Sequence, residues 1–226
     1  MKLSTALLST LLFSLAAGAN AATQVTYTSN VVPLTTTNWA SSLSLPLFDS
    51  SLGDLLQVDI TLHGNVIGDA RIESTDAKAS TVTLNLASTL TLSRPDQTTL
   101  VITVPLVTQV LSLTAFDGSL NWSGSSGATL LGLTGSRSES YSSTAAADLL
   151  LFTGVGSLSA PLTGKSASTV TGSANLASWI QTRAGGYADI TYTYAAAPVP
   201  EPASLALMLS GLGMFGLLAK RRRRAE

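Results

Sequence analysis

The sequence predicts an all-β protein: a two-layer antiparallel β-sandwich with jelly-roll or Greek-key topology, flanked by an N-terminal signal peptide and a C-terminal transmembrane helix. Three observations lead to this prediction. Apolar and polar residues alternate with a period of two through most of the chain, clusters rich in Gly, Asp and Asn separate the alternating runs, and each end carries an uncharged apolar stretch beside basic residues. Runs with one apolar face and frequent turns are typical of packed antiparallel sheets. A closed barrel is the alternative.

The first element, residues 1–21, has the pattern of a secretory signal peptide. Lys2 precedes an apolar run from Leu3 to Ala17, and Ala19 and Ala21 supply the small-x-small pattern that signal peptidase accepts. We therefore expect cleavage after Ala21. An uncleaved anchor is the weaker alternative, because the apolar run is shorter than the roughly 20 residues that span hydrocarbon.

The second element, residues 22–197, is the predicted sandwich body. Four runs alternate apolar with polar side chains, and the polar positions are largely Ser and Thr, which suit the solvated face of a sheet. The apolar positions are Leu56, Val58, Ile60 and Leu62; Val82, Leu84, Leu86, Leu90 and Leu92, with Ser88 as the one break; Leu100, Ile102 and Val104; and Ile190, Tyr192 and Tyr194.

Two segments of the body depart from this alternation. Leu176, Trp179 and Ile180 have the i, i+3, i+4 spacing of a helix face, which predicts a short helix over Leu176–Arg183. Ser119–Ser143 is the stretch richest in Gly and Ser, and predicts a long loop around a short strand near Ala128–Leu133.

The third element, residues 198–226, has three consecutive parts. Pro200, Glu201 and Pro202 come first, and an uncharged stretch over residues 203–219 follows. As a helix that stretch would be about 26 Å long, enough for a thin bilayer. A cluster of five cations comes next and should keep its end of the chain in the cytoplasm, so that the body lies on the other side of the membrane. The cluster is Lys220, Arg221, Arg222, Arg223 and Arg224.

These last residues resemble the PEP-CTERM sorting signal of Gram-negative bacteria in the order, spacing and position of the three parts. The resemblance implies recognition by an exosortase, a multi-pass membrane enzyme thought to cut near Pro200-Glu201-Pro202. The prolines keep this strip extended and outside the following helix, so it has no internal hydrogen bonds to break before an enzyme binds it. An ordinary C-terminal anchor with a proline stalk is the alternative.

The body has a second resemblance, carried by short motifs. The stretch Leu45–Leu55 with the strand Val58–Leu62, the segments Phe152–Gly156 and Gly172–Leu176, and the ending Ile190–Tyr194 are similar to a choice-of-anchor domain, most like type E. Such domains are extracellular modules found with different anchors. The resemblance implies no activity, and Asp54 departs from the small polar residue expected at that position.

Composition excludes most catalytic and metal chemistry. The chain has no Cys and one His, which removes thiolate zinc sites, Fe–S clusters and Cys nucleophiles. His63 and Asp59 lie four residues apart on one strand face, about 13 Å, too far for a local dyad. The body is mildly acidic, so we expect no nucleic-acid partner. We expect no enzyme activity and no catalytic residue.

Two binding functions remain open for the body. Calcium is the one cofactor with candidate ligands, Asp49 and Asp54, since turn carboxylates suit a hard cation. Trp39, Trp122 and Trp179 are candidate platforms for sugar rings. The sequence thus predicts an exported cell-envelope or extracellular-matrix protein with a structural or interaction role. A calcium- or glycan-binding module is the alternative, and a carbohydrate-active enzyme is less favoured. Its expected partners are signal peptidase, exosortase, the inner membrane before processing and an exopolysaccharide. We expect it at the cell surface or outside the cell.

Overall fold

The computed structural model describes residues 22–172, 175–197, 210–216 and 221. Residues Ala22–Ala197 form one compact unit, called the body below. Residues 210–216 are helical, and no helix within the described ranges is long and apolar enough to cross a bilayer. The predicted signal peptide with Ala19 and Ala21, the motif Pro200-Glu201-Pro202, the rest of the predicted helix 203–219, and Lys220 and Arg222–Arg224 lie outside the described residues.

The described body is built almost entirely of antiparallel strands in two sheets. Sheet 1 has the order β1-β11-β4-β8, with β2 also pairing with β11; sheet 2 has the order β10-β5-β9-β3, with β6 and β7 also pairing with β5. The strands are β1 (Ala22–Thr28), β2 (Val32–Thr36), β3 (Trp39–Pro46), β4 (Gly53–Ser74), β5 (Ser80–Ser93), β6 (Thr99–Thr103), β7 (Leu106–Leu113), β8 (Gly127–Ser143), β9 (Ser157–Ser166), β10 (Thr169–Thr171) and β11 (Leu176–Ala196), with a 3-10 turn at Ser50–Leu52 and a helix α1 at Ala146–Leu151.

The inner faces of the two sheets share one apolar core, which confirms the predicted mostly-β fold with antiparallel sheets. Val58, Ile60 and Leu62 of sheet 1 are buried with Leu90 and Leu92 of sheet 2. Ser88 breaks the apolar run of β5, is fully buried, and donates a hydrogen bond from Oγ to the carbonyl of Lys165 (2.9 Å). Because that hydroxyl is satisfied, the polar residue costs the core little. A smaller cluster, which includes Ile72 and Leu84, fills the other end of the body.

The predicted helix over Leu176–Arg183 is wrong, because these residues begin strand β11. Their partners are β4 residues from Ser74 to Ile67 in unbroken register. Leu176 and Ile180 pack against the smaller cluster, whereas Trp179 points outward, as a period of two requires. A helical spacing over eight residues is a weak signal, and pairing along a strand as long as β4 outweighs it.

The predicted loop over Ser119–Ser143 is also largely wrong. Most of it is the 17-residue strand β8, which pairs with β4 from Glu73 to Val58. The alternation is hidden in the sequence because β8 is an edge strand whose inward positions include Arg137 and Glu139, joined by an ion pair. Inward-pointing charges on an edge strand are a recognised protection against pairing with another chain.

Two strands have a different register from the one the alternation predicts. Leu56 is exposed, because the β4–β11 ladder is irregular there and Leu55 packs against the core instead. In β6, Val101 and Thr103 are buried and Ile102 is half exposed, although Leu100 is buried as predicted. A one-residue shift reverses the two faces of a strand, and the register change between Leu92 and Ser93 produces that shift here.

Candidate functional site

The outward side chains of sheet 1 form a continuous hydrogen-bonded surface, called the polar face below. Four strands contribute to it: β1, β11, β4 and β8. Each bond joins neighbouring strands: Gln24 Nε2 to Thr193 Oγ1 (3.1 Å), Thr26 Oγ1 to Thr191 Oγ1 (2.8 Å), Gln57 Nε2 to Ser142 Oγ (3.1 Å), and Thr61 Oγ1 to Ser140 Oγ (2.9 Å). Such cross-strand pairs stabilise the sheet while leaving its hydroxyls accessible.

The only imidazole of the chain lies at the centre of the polar face. His63 Nε2 is 3.0 Å from Asp189 Oδ2, and His63 Nδ1 is 2.8 Å from Ser138 Oγ. The Tyr187 ring stacks on the imidazole with its centroid 4.6 Å away. Thr28 Oγ1 donates to the other carboxylate oxygen of Asp189 (2.6 Å). The sequence alone does not indicate these partners, because only the pairing of β4 with β8 and β11 brings them together.

Asp189, His63 and Ser138 have the residue types of a hydrolytic triad, but their setting is that of a cross-strand ladder. A triad acts on a carbonyl held beside oxyanion donors in a cleft that excludes water. Ser138 is exposed on an edge strand, and these three residues line neither of the cavities described below. The three residues form hydrogen bonds across neighbouring strands. The stacked rings of His63 and Tyr187 lie among them on the polar face.

A shallow groove of about 390 Å³ lies beside this ring pair. Residues 32–34 cross the polar face where β11 carries Gly185, and a Cβ atom on that glycine would lie only 2.5 Å from the Val32 carbonyl oxygen. Leu34 thereby forms one wall over Asn65 and Ser136. None of the residues lining the groove is charged: Leu34, Asn65, Val66, Ile67, Thr134, Gly135 and Ser136. A neutral, hydroxyl- and amide-lined groove suits an uncharged polar ligand.

Of the three tryptophans, Trp179 is the one placed to stack on a ligand. It lies on the polar face with 45% of its surface exposed, and the Arg71 guanidinium is 5.3 Å from its ring centroid. Trp39 instead packs its ring against Gly164. The backbone N–H of Trp122 donates to the buried carboxylate of Glu73 (2.7 Å), which fixes a loop at the end of the body away from the termini.

An ion pair between a buried carboxylate and a partly exposed guanidinium joins α1 to the turn between β5 and β6. Asp148 is 3% exposed, forms an ion pair with Arg94, and accepts hydrogen bonds from Tyr141 Oη and Ser143 Oγ (2.6 Å each). Burial alone would raise the pKa of Asp148, but the hydrogen bonds from Ser143 and Tyr141 and the charge of Arg94 together hold that pKa below its ordinary value. A second cavity of about 260 Å³ lies between this turn and α1.

The candidate calcium ligands Asp49 and Asp54 have separate structural positions. Asp49 caps the 3-10 turn: its Oδ1 accepts a hydrogen bond from the Ser51 N–H (2.8 Å), which lowers the pKa of Asp49. Asp54 lies in β4 opposite Ala195. The described part of the chain contains no group of three or more His, Asp or Glu side chains arranged to hold a metal ion.

Both ends of the body leave it at the same place, called the exit end below. Ala22 pairs with Ala195 in the β1–β11 ladder, and the Ala197 N–H donates to the Leu52 carbonyl (2.9 Å). The connection over residues 144–156, which contains α1, also lies here: Gly154 N–H donates to the Phe48 carbonyl (2.9 Å), four residues before Leu52. The motif Pro200-Glu201-Pro202 begins three residues after Ala197.

Comparison with known families gives a match to the C-terminal residues. Residues 198–224 match the family described as the PEP-CTERM protein-sorting motif. This agrees with the resemblance in the sequence, and it implies an exported protein that an exosortase sorts and processes at the membrane. No curated protein matches the chain.

Similar solved structures give no functional information. The chain has 10% identity to a chain of "Structure of infectious bursal disease virus Gx strain", with 88% of this chain and 49% of that chain covered and a TM-score of 0.17. The chain has 10% identity to a chain of "Crystal structure of infectious bursal disease virus VP2 subviral particle". That match covers 86% of this chain and 48% of that chain, with a TM-score of 0.17. The chain thus spans about half the length of these viral chains.

Proposed function

We propose that the body is an exported interaction module of the bacterial cell envelope or extracellular matrix, held at the inner membrane by residues 203–219 until an exosortase cuts near Pro200-Glu201-Pro202. Signal peptidase would act first, after Ala21. The mature protein would then lose its anchor and reach the cell surface or the medium. The match of residues 198–224 to the sorting motif is the observation that carries this proposal.

The exit end supports such processing. Because Ala22 and Ala195 are paired, both scissile regions emerge from one end of a folded body, and neither cut removes a core residue. The last strand ends at Ala196, so the motif follows with only a short spacer. Pro198, Pro200 and Pro202 cannot extend the strand ladder, because proline lacks an N–H. The enzyme would therefore meet an extended strip without unfolding β11.

Membrane fractionation in the native host tests the sorting step. Glu201→Ala should leave a larger, membrane-bound form, because the charge that marks the motif is gone while the apolar segment remains. Neutral replacements of Lys220–Arg224 should instead give mixed topology, since the stop-transfer signal weakens. The matched control is Glu226→Ala, which removes an acid outside the motif and should be processed as wild type. Equal processing of Glu201→Ala and wild type would remove the basis of the proposal.

The body itself would be a choice-of-anchor domain, most like type E, without catalytic activity or a required cofactor. This proposal rests on the motifs given above, and the mostly-β body is consistent with it. Calcium binding at Asp49 and Asp54 is not favoured, because the described residues bring no third His, Asp or Glu side chain to them.

The polar face favours one class of ligand, a neutral glycan. Exposed hydroxyls, an uncharged groove and two aromatic platforms, Trp179 with Arg71 and Tyr187 with His63, share one outer surface. Trp179 and Tyr187 are eight residues apart on β11, about 26 Å, which a chain of several sugars would span. An exopolysaccharide of the matrix is thus the proposed partner.

Affinity electrophoresis of the processed protein in gels containing neutral or acidic polysaccharide tests this choice. Trp179→Ala should abolish retardation by the neutral polysaccharide. The control is Val110→Ala, which trims an exposed apolar side chain on the outer face of sheet 2. Retardation that is unchanged in Trp179→Ala, or seen with acidic polysaccharide alone, would contradict the proposal.

A further inference from the structure

The exit end carries the most exposed large apolar side chains of the body. Val155 is 97% exposed and Leu150 is 78% exposed, and no other large apolar side chain described between residues 22 and 197 exceeds 69%. Leu52 is also exposed at this end. These three residues are called the apolar tip below. They contribute nothing to the core, so folding does not account for them.

The tip is held in a defined conformation. Leu149, Leu151 and Phe152 pack into or against the core, so α1 presents Leu150 outward. Thr153 Oγ1 donates to the Leu149 carbonyl (2.7 Å). Val155 lies between Gly154 and Gly156, both at positive φ, which makes a tight turn with its side chain at the apex. An apolar group fixed this way loses little entropy on burial, which favours binding.

The length of chain beyond the body limits what can cover the tip. The Ala197 N–H is hydrogen-bonded to the Leu52 carbonyl at the exit end. Only residues 198–202 separate Ala197 from the apolar segment that begins at residue 203. The six Cα–Cα steps from Ala197 to residue 203 span at most about 22 Å when fully extended. While that segment is in the membrane, the exit end must stay within this distance of it, and the bilayer surface is then present at a very high effective concentration.

We propose that the apolar tip rests in the interfacial region of the inner membrane while the anchor is intact, so that the body stands on its exit end until the exosortase acts. This inference rests on the proposed function only in requiring residues 203–219 as an anchor. The contact is apolar: the exposed charges described near the tip are Asp49, Asp54 and Asp96, and Arg94 is paired with Asp148. A surface of low negative charge therefore suits it better than a strongly anionic one.

The chain has no Cys, so a single probe can be placed without background labelling. The experiment uses the chain from Ala22 to Glu226 in lipid nanodiscs at one chain per disc, which prevents a second copy from covering the tip. Val155→Cys carries an environment-sensitive fluorophore. Leu120→Cys is the matched control, because Leu120 is exposed in the loop before β8, at the end of the body away from the exit end.

In phosphatidylcholine discs we expect blue-shifted emission at position 155, and quenching by a nitroxide on the acyl chains at least about twofold stronger than at position 120. Adding Leu52→Ser and Leu150→Ser to the labelled chain should lower that quenching. Raising the content of phosphatidylglycerol at low salt should lower it too, and added salt should restore it. Equal quenching at 155 and 120 would overturn the inference.

The failures of the two proposals are distinguishable. A chain that does not remain with the discs on flotation lacks the anchor, which contradicts the proposed function. A chain that floats with the discs while the probe at 155 stays in water retains the anchor, and this result contradicts the tip contact alone.

Discussion

Ala22 and Ala195 are paired across β1 and β11, so the first residue after the predicted signal-cleavage bond lies beside the last strand before the sorting motif. The two predicted processing sites, which are far apart in sequence, are thus both joined to the same end of the body. Signal peptidase and the exosortase both act at the membrane surface. If both enzymes act on this chain, the pairing leaves the rest of the body, which extends about 70 Å along β4, away from them.

The Arg94–Asp148 pair should make the protein sensitive to acid. Asp148→Asn is expected to lower the free energy of unfolding near neutral pH by about 2 kcal/mol, because the buried carboxylate loses its charge-assisted hydrogen bonds and the partly exposed Arg94 loses its partner. The folded-state pKa of Asp148 is below its unfolded value, so this stabilisation is present above pH about 4 and is lost as the pH falls through the folded pKa. Urea unfolding of both proteins across this range measures it.

The same experiment includes a matched control. Asp96→Asn replaces an exposed acid in the neighbouring turn, whose pKa is lowered by the Thr98 N–H, and it should change stability little. A constant difference between wild type and Asp148→Asn at every pH would show that the carboxylate charge is not what stabilises the fold.

Tyr192 should limit stability at high pH. Its phenol is buried, donates to the Pro46 carbonyl (2.7 Å), and has a pKa that burial, with a smaller contribution from Tyr27, raises far above the ordinary value. The protonated form is favoured by folding, so stability is full below pH about 10 and declines above it. Tyr192→Phe should cost about 1–2 kcal/mol at neutral pH, because a buried carbonyl loses its donor, and should flatten the alkaline decline.

Thermal melts between neutral pH and pH about 11 check this expectation. Tyr187→Phe is the control: that ring stacks on His63 on the polar face, and its substitution should leave the alkaline decline in place. An alkaline decline of the same size in Tyr192→Phe would assign the effect to another group.

The Ser138–His63–Asp189 trio should be structural. A fluorophosphonate probe, which labels activated serines, is expected to leave Ser138 unmodified, because the hydroxyl lies on an open sheet face. His63→Ala should lower stability by about 0.5–1 kcal/mol through loss of cross-strand bonds. Labelling at Ser138 that disappears in both Ser138→Ala and His63→Ala would identify a nucleophile and contradict the expectation that this protein is not an enzyme.

The sequence predicts this fold where one face of a strand is buried. Val58, Ile60 and Leu62 alternate with polar residues because sheet 2 covers only one side of β4, and a period of two records that burial. The sequence of strand β8 lacks this alternation, because its inward positions include the charged residues Arg137 and Glu139. The helix predicted for the first residues of β11 was wrong for a different reason. Eight residues are compatible both with a helical period and with a period of two, and only the pairing with β4 decides between them.

The candidate sites also differ in whether the sequence alone can predict them. The sorting motif is local, so its residues and spacing identify it without a fold. The polar face depends on register: His63 and Asp189 are 126 residues apart, and no spacing in the sequence pairs them. The sequence does not predict the apolar tip either, because nothing in the residues around Leu150 and Val155 indicates that these side chains are exposed. Their exposure at the exit end follows only from how residues 144–156 pack.

The intact mass of the protein isolated from its native host tests the central claim most directly. Export followed by exosortase processing predicts a polypeptide that begins at Ala22, ends near Pro200-Glu201-Pro202 and lacks residues 203–226, recovered from the surface or the medium. A steady-state polypeptide that retains residues 203–226 in the membrane fraction would contradict the account, because the C-terminal segment would then be a permanent anchor.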